Sequence, residues 1–154
     1  MKRLLPLAAA MLLAGCVTAP KALQGEFSMT EPGQAAREGR MGERVRWGGR
    51  IVAVEPQAAR TCFEIVGVRL GNEGRPLARD QSSGRFLACR TGFYDPEIFK
   101  AGREITITGR VDGHEDRKVG EYDYRYPRLA ADVVFLWPER RNVAVIIERS
   151  PFYW

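Results

Sequence analysis

Hydrophobic and polar residues alternate with a period of two over much of the chain, in short runs cut by glycine and proline. The clearest run is 103–111, where Ile105, Ile107, Gly109 and Val111 alternate with Glu104, Thr106, Thr108 and Arg110; period two predicts a half-buried strand. A turn at Asp112-Gly113 and a polar tip reaching Gly120 follow, and alternation resumes with Tyr122, Tyr124 and Tyr126 on one face and Glu121, Asp123 and Arg125 on the other. Pro127 interrupts or ends that strand; 129–137 is the next, stopped by Pro138. Upstream, Val45, Trp47, Ile51, Val52 and Val54 predict a first strand broken by Gly48-Gly49, a pair that marks a bulge or a sharp bend at a barrel corner. Further strands are expected at 61–70 and 85–90, separated by the turn Gly71-Asn72-Glu73-Gly74-Arg75-Pro76. Asp95 suits an N-cap and Pro96 a first helical position, so 96–100 is expected as one short helical turn. A last apolar run, 143–147, is a strand candidate. Short strands with Gly/Pro turns and one brief helix predict an all-β fold, a small barrel or sandwich.

The first residues follow a different rule. Lys2 and Arg3 precede an uncharged apolar run of about ten residues, 4–13, the length of a signal h-region and half the ~20 that a spanning helix needs. Two small residues, Ala14 and Gly15, then lead into Cys16. This is the pattern of a lipoprotein export signal: small residues admit a peptidase, and the thiol takes a diacylglyceryl group as a thioether. Each buried CH₂ contributes ~0.8 kcal/mol and stable anchoring needs about two chains, which Cys16 and its new amino terminus can carry. An ordinary cleaved secretory signal with an incidental cysteine is the competing reading. In bacterial lipoproteins an Asp after the cysteine often retains the protein in the inner membrane; by resemblance, Val17 favours the outer membrane.

The expected organisation is a signal peptide at 1–15, a lipidated N-terminus and tether at 16–42, a β-barrel domain at 43–138 and a tail at 139–154 that can add a strand. Glycines and prolines punctuate the tether, and 34–38 has room for a brief helical turn; such a lead lets a domain stand off the lipid surface. Of 24 basic residues Lys2 and Arg3 leave with the signal, so 22 face 19 acidic ones. That mild excess suits a surface near anionic head groups and does not point to nucleic acid. Once Cys16 is lipidated, Cys62 and Cys89 remain, each in a β-like run. Exported proteins keep disulfides, so the two either form a bridge or stay as buried thiols, small hydrophobes in effect.

Candidate chemistry is sparse. His114 stands among Asp112, Glu115 and Asp116, which suit a cation, but Asp112-Gly113 reads as a hairpin and Arg117-Lys118 offset the acids, so no metal site is expected. Ser82 and Ser83 lack a nucleophile elbow, Glu121 and Asp123 lie on a solvated strand face, and no catalytic residues and no cofactor beyond the covalent lipid on Cys16 are expected. The row Tyr122, Tyr124 and Tyr126, with Trp47 and Trp137, is either cross-strand packing or an aromatic ligand face. Arg46, Arg50 and Arg85 can flank such a face and take phosphate or carboxylate, so a periplasm-facing module for an envelope glycan or a lipid head group is the alternative to a structural role. The closing Phe152-Tyr153-Trp154 invites comparison with membrane-spanning barrels, but Ser150 and Glu148 break the alternation of a lipid-facing strand; an interfacial or partner contact fits better.

Several segments together, in order, resemble the Slp family of outer-membrane lipoproteins associated with starvation and stationary phase: the Leu13-Ala14-Gly15-Cys16 box, Ala19-Pro20-Lys21-Ala22-Leu23-Gln24-Gly25, Val45-Arg46-Trp47-Gly48-Gly49-Arg50-Ile51, Ser83-Gly84-Arg85-Phe86, Gly92-Phe93-Tyr94-Asp95-Pro96 and Gly120-Glu121-Tyr122-Asp123-Tyr124-Arg125-Tyr126-Pro127. The resemblance covers about 10–138 and implies a lipid-anchored, periplasm-facing, OB-like barrel with a stress-related, non-catalytic role. Its partners would be membrane lipid through the anchor and an envelope glycan or protein. Cys62 and Cys89 are not part of the pattern.

Overall fold

A computed structural model describes residues 18–78 and 80–140. Five strands, β1 (Arg44–Pro56), β2 (Arg60–Val68), β3 (Gly84–Thr91), β4 (Glu104–Val119) and β5 (Tyr122–Leu136), form a closed barrel in the order β1-β2-β3-β5-β4. Neighbours are antiparallel except β3 and β5, whose parallel pairing at Leu87↔Arg128, Ala88↔Leu129 and Cys89↔Ala130 closes the barrel. This is an OB-like barrel, as the alternation and the resemblance led us to expect.

Alternation fills the interior. Val45, Trp47 and Ile51 of β1, Phe63 and Ile65 of β2, Phe86 and Ala88 of β3, Ile105, Ile107 and Val111 of β4 and Leu129 of β5 are all buried in one core. Trp47 meets Phe86 edge-on, with ring centroids 5.3 Å apart. At the end where β3 stops, Asp95 caps the expected helical turn through Glu97 N to Asp95 Oδ1 (2.9 Å), and Tyr94 and Phe99 pack on Phe63.

Gly48-Gly49 lies at the corner, though no bulge occurs there. Here β1 pairs with β2 on one edge and with β4 on the other, and the register shift comes later, between Ile51 and Ala53. Glycine is required because a Cβ at Gly49 would stand 1.9 Å from the Val66 carbonyl oxygen, and one at Gly48 2.7 Å from that of Ile105.

Expectations change in two regions, the first of them the β4–β5 pair. Asp112-Gly113 is not a hairpin: β4 runs through it to Val119, the irregularity falls between Val111 and Gly113, and the turn comes at Gly120, whose φ is 60°. Pro127 does not end its strand either; it sits inside β5 opposite His114. N-terminal to Arg128, β5 has β4 as its one ladder partner, and an edge of that kind tolerates proline. The result is a long two-stranded β4–β5 arm beyond the closed part of the barrel.

The second change concerns the lead. Residues 18–42 lie against the barrel rather than standing off it. They hold a 3₁₀ turn, Lys21–Leu23, and a helix α1, Pro32–Glu38, longer than the brief turn expected, which ends on Gly39 in the left-handed region (φ 62°). Leu23 and Ala35 are fully buried; α1 places Ala35 over the barrel end opposite the Asp95 turn. The indole of Trp47 donates to the Thr30 carbonyl (2.7 Å), and Ser28 bridges Val45 as a short parallel addition to β1. The expected strand at 143–147 and the aromatic close at 152–154 lie outside the described residues.

Candidate functional site

The expected ligand face is divided among several places. Trp47 is inside the barrel. Trp137, 7 % exposed, packs outside it with Ala19 and Leu23, and its indole donates to Thr106 Oγ1 (2.9 Å), which donates to the Gly74 carbonyl (2.7 Å). The Arg75 guanidinium lies 5.4 Å from the Trp137 ring. Arg50 lines a cleft of about 340 Å³ beside Trp137, with Lys100, Arg103 and Arg140. Arg46 donates to the Leu23 carbonyl (2.9 Å), and Arg46 and Arg44 stand 5.3 and 5.1 Å from the Phe27 ring.

Arg85 and the tyrosines form a separate group. Tyr122, Tyr124 and Tyr126 do share one face of the arm, with centroids 6.3 and 5.0 Å apart, but exposure falls from 70 % at Tyr122 to 1 % at Tyr126. The Tyr126 hydroxyl donates to Glu64 Oε1 (2.8 Å), the same oxygen that Arg85 Nη1 holds at 2.8 Å, and the Arg85 amide donates to Tyr124 Oη (3.0 Å). Burial first, then the adjacent Glu64 carboxylate, pushes the Tyr126 phenol above its ordinary value, since both disfavour the anion. Phe63, Ile65, Phe86 and Ala88 point inward, so Glu64 and Arg85 point out. The Tyr124 and Tyr126 side chains thus reach Arg85 of β3 and Glu64 of β2, on the side where OB-fold barrels take oligonucleotides and oligosaccharides.

Ion pairs tie the two strands of the arm together and reach the barrel at one point. Arg117 holds Glu55 of β1 at 3.1 Å, while within the arm it holds Glu115 at 2.7 Å, Arg128 holds Asp112 at 2.9 Å and Lys118 holds Asp123 at 2.8 Å. His114 is part of β4, its Nε2 3.2 Å from the Ala35 carbonyl oxygen, and among the described residues no three potential ligands gather as a metal site. Ser82 Oγ donates to the Gly67 carbonyl (3.1 Å). Cys62 and Cys89 stand directly opposite across β2 and β3, Cα atoms 4.0 Å apart, joined by a disulfide. Cys16 lies outside the described residues.

One feature becomes continuous only with the strands in place. The outward positions of β1 read Arg44, Arg46, Gly48 and Arg50, and Arg110 of β4 faces Arg44. Among the described residues none of these arginines is within ion-pair distance of a carboxylate, nor is Lys21. The alternation of Arg44, Arg46 and Arg50 with Val45, Trp47 and Ile51 was the signal available in the chain. The docking of the lead had a weaker one, the apolar Leu23 and Ala35 among polar neighbours.

No solved structure matches the chain. The uncharacterized lipoprotein YeaY of Escherichia coli strain K12 is 37 % identical over 123 residues, covering 76 % of this chain and 62 % of that relative, so the match spans less than two thirds of its length. An uncharacterized protein of Haemophilus influenzae is 33 % identical over 129 residues, covering 81 % of this chain and 70 % of its own. The outer membrane protein Slp of E. coli is 24 % identical over 152 residues, 92 % of this chain and 78 % of that protein. The family described as outer membrane lipoprotein Slp matches residues 13–154, beginning at the Leu13-Ala14-Gly15-Cys16 box. On that match, the chain belongs to the outer membrane lipoprotein Slp family.

Proposed function

We propose that acyl chains on Cys16 hold this barrel at the periplasmic side of the outer membrane, where it serves a structural, stress-related role without catalysis. The observation that carries the reading is the start of the family match at Leu13, which brings the cysteine box within the shared sequence. Two further features support a non-catalytic role. His114, the one imidazole of the chain, is built into β4 and ends at a backbone carbonyl, and Arg85, Tyr126 and Glu64 satisfy one another.

A module that stacks an envelope glycan on the tyrosine row is the competing reading. It needs several rings on one open face, whereas Tyr126 is buried and Tyr124 is engaged by the Arg85 amide. Replacing Cys16 by Ser tests the anchor. The variant is expected to lose membrane fractionation and palmitate incorporation and to keep its leader, running larger on a gel. An unchanged fractionation and size would overturn the proposal.

A further inference from the structure

We infer that the outer face of β1, with the 3₁₀ turn beside it, rests on the bilayer that carries the anchor, its arginines taking the phosphates of anionic lipid head groups. This inference depends on the Cys16 reading above and adds an orientation and a ligand chemistry to it.

The length of the leash comes first. Only Val17 and Thr18 separate Cys16 from Ala19, and Ala19 is already packed with Leu23 and Trp137 on the barrel. Three Cα steps span at most about 11 Å. A flexible lead over 17–42 would instead let the barrel wander roughly 25–30 Å from its anchor. The surface potential of an anionic leaflet decays over about 8 Å at physiological salt, comparable with the short leash and far less than the long one. The side bearing Ala19 is therefore held where head-group charge acts.

Charge on that side is the second observation, independent of the first. Arg46 donates to Leu23, so the arginine row begins at the docked lead. Lys21, Arg44 and Arg50 are exposed, without ion-pair partners among the described residues. Nearby, Glu104 is taken up by Arg75 and Arg140 at 2.7 and 2.9 Å. Exposed Glu26 and Asp132 and half-buried Glu73 do not cancel the row. Cations left unpaired on the side tethered to the membrane match phosphate both electrostatically and in the fork geometry of guanidinium. At the tip of the arm, Lys118 is paired with Asp123, and the exposed Arg125 stands opposite exposed Asp116 in the ladder, so no row of unopposed cations forms there.

The test uses the full lipidated chain in vesicles doped with a nitroxide head-group lipid, with a fluorophore on Arg50→Cys or on Asp123→Cys. Cys62 and Cys89 are bonded to each other and Cys16 is acylated, so the introduced thiol is the one labelled. In phosphatidylglycerol-containing vesicles we expect the Arg50→Cys label to be quenched several-fold more than the Asp123→Cys label. The gap should shrink in phosphatidylcholine vesicles and with added salt, and should close when Lys21→Glu and Arg44→Glu are introduced; neither side chain makes a hydrogen bond that the fold needs, and circular dichroism checks the fold. Equal quenching at both positions, or a gap indifferent to head-group charge, overturns the docking while the chain still floats with its vesicles. Flotation of the Cys16→Ser chain, a separate measurement, would instead sink the anchor.

Discussion

The two sides of this barrel use opposite means. On the lead side, apolar burial leads: Leu23, Ala35 and Ala19 are buried, Trp47 and Arg46 add bonds to lead carbonyls, and among the described residues the arginines of β1 have no carboxylate within ion-pair distance. On the arm side, charged and hydroxyl groups lead: Arg117 holds Glu55 of β1, Arg85 holds Glu64 of β2, and Tyr126 completes the set. Apolar burial is non-directional and roughly proportional to area, so it fixes a segment while leaving charges available to a partner. Exposed ion pairs contribute only about 0–1 kcal/mol each and use up the charges that form them. The arginines that β1 leaves free are the ones the proposed docking assigns to lipid phosphates.

The first way to probe this contrast is to weaken what both sides share. The Cys62–Cys89 bridge lies in the wall at the point where Cys89 pairs with Ala130 of β5. Replacing both cysteines by alanine should lower stability by about 3.5 kcal/mol for a closed loop of this length, with lead and arm affected together in chemical denaturation. If the arm alone loosens, the barrel wall is not the common support. Next comes Leu23→Ala, which removes a fully buried side chain and should cost about 2–5 kcal/mol. Limited proteolysis should then cut within 18–30 while the arm stays protected; simultaneous loss of both would erase the distinction.

The smallest expected effect is on the arm. Tyr126→Phe removes one hydrogen bond to Glu64 and should cost about 1–2 kcal/mol, seen as faster amide exchange in 113–128 with the lead unchanged. The same contact predicts a pH response. Because the folded Tyr126 phenol ionises above its ordinary value near 10, its contribution is whole below that pH and falls away as pH rises through the folded value. Alkaline titration followed by tyrosinate absorbance and amide exchange should release the arm before the lead, and a lead that opens first would contradict the assignment.

Much of the barrel could be read from the chain. The β-branched and aromatic runs of β1 to β3, the alternation of Ile105, Ile107 and Val111, and the capped turn at Asp95 appear where period two and turn chemistry put them, because each depends on neighbours close in sequence. Asp112-Gly113 shows the limit. The dipeptide suits a tight turn, yet here β4 absorbs it as an irregularity facing Arg128, since continuing the ladder to Val119 gains many cross-strand bonds. The aromatic residues show another. Nothing local tells that Trp47 points into the barrel while Trp137 lies outside it, nor that the last ring of an alternating row is buried and the first exposed.

By itself the sequence determined the Leu13-Ala14-Gly15-Cys16 box, the all-β class, the corner glycines and the alternation that sets arginines against the core of β1. These are consequences of residue type and of spacing along the chain. Tertiary structure alone decided that the lead folds back onto the barrel, that the arm's tyrosines reach Arg85 and Glu64, and which arginines keep a partner. Those outcomes rest on contacts between residues far apart in the chain, where closure of the barrel, not any local preference, brings the groups within reach.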